Sequence, residues 1–93
     1  MLFAVICTDK KDQSALRAAT RPTHLKYLES FLPRIAISGP LMSDDGATPK
    51  GSLLILDFAD AKEAQAFADN DPYAKAGLFQ SVSIAPFKKV FPA

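Results

Sequence analysis

The sequence predicts an α+β fold with one antiparallel four-stranded sheet, and three observations support this class. Four β-rich apolar segments alternate with helical segments in the order βαββαβ, which is that of the ferredoxin-like fold. No repeat, low-complexity tract or linker interrupts this order, so residues 1–93 are expected to form one domain. The first and third strands are almost continuously apolar, as expected where both faces of a sheet are covered.

The N-terminal part of the chain predicts a strand followed by a short helix. Residues 2–8 are a β-rich apolar run that a charged turn ends. Residues 12–19 contain several alanines and a leucine, which favour a helix. Pro22 disfavours helical geometry at Arg21 but suits the first position of a new helix. The sequence therefore predicts a break at this proline.

A second helix is expected from Pro22 to about Leu32, which places His24 in its first turn. Leucines at spacings of three and four predict the face that packs on the core, and two aromatic residues form an adjoining track. The leucines are Leu25, Leu28 and Leu32, and the aromatic residues are Tyr27 and Phe31. His24 is expected to border this apolar face.

The middle of the chain predicts a β-hairpin. Pro33 ends the preceding helix, and residues 34–41 carry alternating isoleucines until Gly39-Pro40 disturbs the pattern, which indicates a bend or bulge. Residues 43–51 are rich in Asp, Gly and Pro, as is typical of a hairpin loop. Residues 52–58 form the next predicted strand.

The C-terminal third predicts a helix, a short helical turn and a last strand. Asp60 and Glu63 have the spacing of a capping box. The buried stripe of the helix that follows consists of Ala64, Phe67 and Ala68. Asp71 and the proline after it can cap a further short turn. The last strand is expected over 79–90, with Pro86 marking an edge or bulge.

Composition and charge exclude several classes of partner. Eleven basic and ten acidic residues give a formal net charge of +1 without a basic stripe, so neither nucleic acid nor an anionic membrane is an expected partner. The single cysteine, Cys7, lies in an apolar run and is expected to be a buried thiol. The apolar N-terminus is too short for a signal peptide or a membrane span, which predicts a cytoplasmic location.

Apolar patterning also predicts a homodimer. The runs 2–7 and 53–56 are apolar on both sides of their strands, whereas helices on one face of the sheet leave the other face open. A second copy packed sheet to sheet would cover that face.

The candidate chemistry is concentrated in two residues. His24 is the only histidine, and Asp71 is held by the following proline. Histidine titrates near neutrality and a carboxylate is its usual orienting partner. In a first helical turn, the positive end of the helix would also favour neutral imidazole. The alternatives are that His24 satisfies its own helical turn and that Asp71 is only a helix cap.

Six motifs, taken in order, resemble those of the YCII-related family in the dimeric α/β-barrel superfamily. They are Arg21-Pro22-Thr23-His24-Leu25, Ser38-Gly39-Pro40-Leu41, Asp44-Asp45-Gly46, Gly51-Ser52, Ala68-Asp69-Asn70-Asp71-Pro72-Tyr73 and Ile84-Ala85-Pro86-Phe87-Lys88-Lys89-Val90-Phe91. The resemblance implies a dimeric ferredoxin-like fold, a dimeric α/β barrel, with a His/Asp pair that maps onto His24 and Asp71. It also implies proton-transfer chemistry without a metal or nucleotide, since the family includes a dehydrochlorinase acting on a chlorinated hydroxyhydroquinone and the superfamily includes muconolactone isomerase.

Four further residues are candidates for contact with a small aromatic or anionic ligand: Arg21, Gly39, Ser52 and Tyr73. Arg21 could bind a carboxylate or phenolate, and it could equally be a surface arginine. No cofactor is expected. A metal site is not expected either, because Asp44, Asp45 and Asp71 lack a recognised ligand spacing.

The sequence thus predicts a lyase or isomerase that uses His24 and Asp71 as an acid-base dyad. Two alternatives remain open at this point. One is a noncatalytic dimeric module that binds a small metabolite, and the other is a structural dimer without a ligand.

Overall fold

The computed structural model describes residues 1–93, and its strands form one four-stranded sheet in the order β2-β3-β1-β4. The strands are β1 (Leu2–Asp9), β2 (Ile35–Met42), β3 (Pro49–Asp57) and β4 (Phe79–Phe87). The helices are α1 (Ser14–Glu29), α2 (Ala61–Asp69) and α3 (Pro72–Lys75), with a 3-10 turn at Leu32–Arg34. All neighbouring strands are antiparallel. The predicted α+β fold of ferredoxin-like type is confirmed.

The core lies between the helices and one face of the sheet. Phe3, Val5 and Cys7 alternate along β1 on this face and are almost completely buried. Antiparallel pairing places Phe3 beside Leu56 and Cys7 beside Ser52. The face is therefore apolar at the Phe3 end of β1 and becomes polar at Ser52, near the other end of the strand.

Helix α1 is continuous, so the predicted break at Pro22 is wrong. Pro22 lies on the exposed side of the helix, where water can satisfy the carbonyl group that its missing N–H leaves free. Contacts on both sides of the proline, from Arg17 to β1 and β3 and from His24 to α3, hold the helix in place. His24 therefore lies about three turns from the helix start. The first-turn argument for a neutral His24 does not apply, because that effect fades within the first turn.

The predicted leucine stripe of α1 is only partly correct. Leu28 is buried, whereas Leu25 is 41% exposed and Leu32 is 64% exposed. Tyr27 and Phe31 pack against the core instead. The helix is rotated relative to the prediction because two polar residues, Arg17 and His24, face inward and have partners in the interior.

Two of the three prolines in the sheet lie on its edge strands, as predicted for Pro86, and Pro49 is the first residue of the central strand β3. Pro86 lies in β4 and Pro40 in β2, where a missing N–H costs no hydrogen bond inside the sheet. The pairing of β2 with β3 shifts register between Ile35 and Ile37 and again between Leu41 and Met42. The strand is thus irregular as predicted, but not at Gly39-Pro40, which pairs regularly with β3. The last strand ends at Phe87 rather than at Val90.

The helix caps agree with the prediction. The Asp60 side chain accepts a hydrogen bond from the Glu63 backbone N–H at the start of α2, and Asp71 accepts one from the Tyr73 N–H at the start of α3. Gly77 follows α3 with a positive φ of 78°, which favours glycine after a helix end.

The other face of the sheet is apolar and carries no helix. Ile6 is 41% exposed on it, although β1 is a central strand. Register places Ile6 beside Leu53 and Ile37 beside Ile55, and all four side chains share this face. We call it the open face.

None of the helices is long and apolar enough to cross a membrane.

Candidate active site

His24 and Asp71 form a buried pair at the junction of α1 and α3. The Nδ1 atom of His24 lies 2.9 Å from Oδ1 of Asp71, and both side chains are nearly inaccessible to solvent. The same Asp71 oxygen accepts the backbone N–H of Tyr73 at 2.9 Å. Asp71 therefore caps α3 and also orients His24, so the two interpretations of this residue are compatible.

The contact with Asp71 determines which nitrogen of His24 can react. An ionised carboxylate can only accept hydrogen bonds, so in the neutral imidazole the proton lies on Nδ1 and Nε2 keeps its lone pair. Nε2 has no protein partner, yet no buried side-chain nitrogen or oxygen in the protein lacks one. Nε2 is therefore accessible, and His24 lines a cavity.

Tyr73 connects the pair to a second polar group. Its ring stacks on the imidazole of His24 with centroids 4.0 Å apart, and the guanidinium of Arg17 lies 4.5 Å from the centroid of the same ring. Tyr73 itself is only 1% exposed. Burial raises the pKa of Tyr73, while the charges of Arg17 and Arg21 oppose this rise, so the phenol is neutral at pH 7.

Arg17 and Asp9 are the site residues that the sequence analysis missed. Nε and Nη2 of Arg17 donate to the two carboxylate oxygens of Asp9 at 2.7 and 2.9 Å, and Nη2 also donates to Oγ of Ser52 at 2.9 Å. Both members of the ion pair are buried. Helical spacing could have identified Arg17, because it precedes His24 by seven residues and therefore shares its face of α1.

These side chains surround a cavity of about 210 Å³ between α1, β2 and β3. Its lining includes His24 and all four residues predicted to contact a ligand, which are Arg21, Gly39, Ser52 and Tyr73. Arg17 lines it as well, whereas Asp71 lies behind His24. The cavity thus combines an accessible imidazole nitrogen with a guanidinium, a serine and a tyrosine.

Cys7 lies near the site but is not a nucleophile. Burial raises the pKa of its thiol to about 12, and the negative charge of Asp71 acts in the same direction. The reactive thiolate is therefore absent at neutral pH. A side chain at Gly51, which pairs with Thr8, would collide with the carbonyl oxygen of Cys7. Glycine at this position lets β1 and β3 approach closely beside Ser52.

The aspartates considered for a metal site do not come together. Asp44 and Asp45 lie in the loop after β2, whereas Asp71 is bound to His24. No three His, Cys, Asp or Glu side chains cluster in a way that could hold a metal ion.

The chain matches known proteins over nearly its whole length. A model of the YCII-related domain matches residues 1–88. Protein YciI of Escherichia coli and protein YciI of Shigella flexneri are each 39% identical to it, with 98% of this chain and 100% of the relative covered.

The chain also resembles solved structures over nearly its whole length. The 5-chloro-2-hydroxyhydroquinone dehydrochlorinase of Burkholderia phenoliruptrix, in complex with 2,5-dihydroxybenzoquinone, is 32% identical with a TM-score of 0.88, over 95% of this chain and 94% of that one. A protein of Agrobacterium tumefaciens, 12% identical over 100% of this chain and 97% of that one with a TM-score of 0.58, shares the fold alone. By its domain match and its relatives, the chain belongs to the YCII-related domain family.

Proposed function

We propose that this protein is an enzyme of lyase or isomerase type in which His24 transfers a proton of a small oxygenated substrate. The observation that carries this proposal is the orientation of His24. Its Nδ1 is bound to the buried carboxylate of Asp71, and its Nε2 is accessible at the cavity. A base must present a free lone pair to the substrate, and this arrangement provides one.

The chemistry follows from the two nitrogens of His24. Nε2 accepts a proton from a hydroxyl or an acidic carbon of the substrate, and the electron pair of the broken bond moves into the substrate. In a lyase that pair expels a leaving group such as chloride, with net loss of HCl. In an isomerase the proton returns to a different atom. In both cases the Asp71 carboxylate stabilises the imidazolium that forms.

Two observations support a single-ring substrate. A dry protein cavity of about 150 Å³ holds benzene, so a cavity of about 210 Å³ has room for one ring with a few oxygen substituents. The related dehydrochlorinase was crystallised with such a molecule, 2,5-dihydroxybenzoquinone.

The test is turnover of 5-chloro-2-hydroxyhydroquinone under anaerobic conditions. Chloride release would report elimination, and uptake of deuterium from D₂O into the ring would report proton transfer alone. Because His24 carries the proton, His24→Gln should lower either rate by roughly 10²-fold or more. Lys26→Gln, an exposed change on the same helix, is the matched control and should leave the rate unchanged.

Circular dichroism would establish that both variants are folded. Equal rates in wild type and His24→Gln would contradict the assigned role of His24. If the wild type shows neither chloride release nor exchange, this proposal is wrong, and noncatalytic binding of a metabolite becomes the better account of the cavity.

We further propose that the active form is a homodimer that buries the open face. Ile6, Leu53, Ile37 and Ile55 together present an apolar surface on two central strands and one edge strand. Large exposed apolar patches mark interaction sites. A second copy supplies an identical apolar sheet, and its two-fold pairing would satisfy both surfaces at once.

The oligomeric state can be tested with a matched pair of variants. Wild-type protein should sediment as a dimer at low micromolar concentration, and Ile6→Asp should sediment as a monomer because a carboxylate would be buried in the interface. Leu32→Asp changes an apolar residue that is more exposed but lies outside the sheet, and it should remain a dimer. A monomeric wild-type protein would contradict the proposal.

A further inference from the structure

Arg17 is an unusual arginine because it is buried beside the proposed base and one of its terminal nitrogens is unused. It is 6% exposed. Its hydrogen bonds to Asp9 and Ser52 use Nε and Nη2 only. Nη1 donates to neither Asp9 nor Ser52.

The position of Nη1 follows from the same reasoning as for His24. Since no buried side-chain nitrogen lacks a partner, Nη1 is accessible, and the cavity is lined by Arg17. The guanidinium and the imidazole of His24 both contact the ring of Tyr73. A cationic N–H donor and the imidazole therefore line the same small cavity.

The charge of Arg17 is permanent. Burial lowers its pKa, but the hydrogen bonds and charge of Asp9, with a smaller contribution from Tyr73, outweigh this, and the pKa is raised above its usual value. The Asp9 carboxylate lies on the Nε and Nη2 side of the guanidinium, so it orients the group and leaves the Nη1 donor free. Arg21 adds a second positive charge to the lining.

We propose that Arg17 binds an ionised oxygen of the substrate, which is therefore a phenolate or an enol that becomes an enolate. This inference rests on the proposed function, because the electron pair released when His24 takes a proton must reach an electronegative atom. An enolate oxygen beside Nη1 would receive that charge. Donors oriented before the reaction stabilise such developing charge without reorganisation. Hydrogen bonds between ionised partners are also among the strongest in proteins.

The binding preference can be measured without turnover by using 4-nitrophenol. Its phenolate absorbs visible light, where this protein, with two tyrosines and no tryptophan, is transparent. At a pH near the pKa of the probe, added wild-type protein should increase the phenolate absorbance, since the anion binds better. We expect the phenolate to bind roughly ten- to a hundredfold more tightly than 4-nitroanisole, a neutral molecule with the same ring.

Variants of the ion pair test the role of Arg17. Arg17→Gln should abolish the preference for phenolate, but it leaves Asp9 buried without a charge partner and could unfold the protein. The double variant Asp9→Asn with Arg17→Gln removes both charges and keeps hydrogen-bonding groups, so it should fold and show no preference. Arg34→Gln, which breaks an exposed arginine–carboxylate pair with Glu63, is the matched control and should bind as wild type does.

The outcomes separate this inference from the proposed function. His24→Gln should keep the phenolate preference, so an Arg17-dependent preference without any turnover would support the anion site and reject the catalytic proposal. Equal binding of the phenolate and 4-nitroanisole, no binding of either, or a preference that persists in the folded double variant would overturn the role of Arg17.

Discussion

The two ends of the layer between α1 and the sheet are filled with opposite kinds of side chain. At one end, Arg17 and His24 of α1 face the cavity and have buried carboxylate partners. At the other end, Tyr27 in the last turn of α1 and Phe31 just after the helix pack against Phe67, with ring centroids 5.4 Å from it for Tyr27 and 4.8 Å for Phe31. One helix thus contributes to both a polar end and an aromatic end.

The difference separates stability from function. Buried ion pairs lose much of their Coulombic gain to desolvation, and apolar side chains of similar volume often stabilise a protein equally well or better. The aromatic end is packed with such apolar side chains. We infer that the polar end keeps its charged groups for the chemistry of the cavity.

The largest expected effect comes from the aromatic end. Phe67 is buried and contacts Tyr27, Phe31 and Phe58. Phe67→Ala should therefore lower the free energy of unfolding by about 3–5 kcal/mol, because it leaves a cavity. Urea unfolding at one fixed protein concentration measures this loss.

The matched change at the polar end is Asp71→Asn. It keeps an oxygen that can accept from the Tyr73 N–H and from His24, so it should cost only about 1 kcal/mol. If Asp71→Asn destabilised the protein as much as Phe67→Ala, the polar end would be as structural as the aromatic end, and the comparison would fail.

The two tyrosines, one at each end, should titrate differently. Burial raises the pKa of Tyr27 to about 12, with the charge of Asp71 adding to it, whereas Arg17 and Arg21 oppose the rise at Tyr73. Tyr73 should therefore ionise first in an ultraviolet titration. Tyr73→Phe and Tyr27→Phe would assign the two steps, and the reverse order would contradict the electrostatic difference between the ends.

The same shift predicts how stability depends on pH. The folded-state pKa of Tyr27 lies above its usual value of 10, so its contribution is fully present below about pH 10. Above that pH the unfolded chain loses the proton more readily than the folded chain. Stability should therefore fall as the pH rises from about 10 to about 12, and Tyr27→Phe should reduce this fall.

The smallest expected effect is at the surface of the aromatic end. Arg34 and Glu63 form an ion pair whose side chains are about half exposed. Exposed pairs contribute little, so Arg34→Gln should change the free energy of unfolding by about 1 kcal/mol or less. A loss of several kcal/mol would show that this pair resembles the buried pair of Arg17 and Asp9, and would weaken the distinction between the ends.

Much of the architecture could be predicted from local sequence signals. The order of the strands and helices, the caps at Asp60 and Asp71 and the edge position of Pro86 depend on short patterns that act within a few residues. The pairing of His24 with Asp71 came from a resemblance to a known family, since no local rule joins residues that are 47 positions apart.

The sequence by itself therefore determined the elements and their order, and the tertiary structure decided which face of α1 is buried. Leucine spacing predicted an apolar inward face, yet Arg17 and His24 are buried while Leu25 and Leu32 are exposed. Arginine is almost never buried unless it is paired, and the partners of Arg17 lie on β1 and β3. The helix also continues through Pro22 because these distant contacts stabilise both of its halves. Such contacts exist only after the sheet has formed, so no pattern within the helix could reveal them.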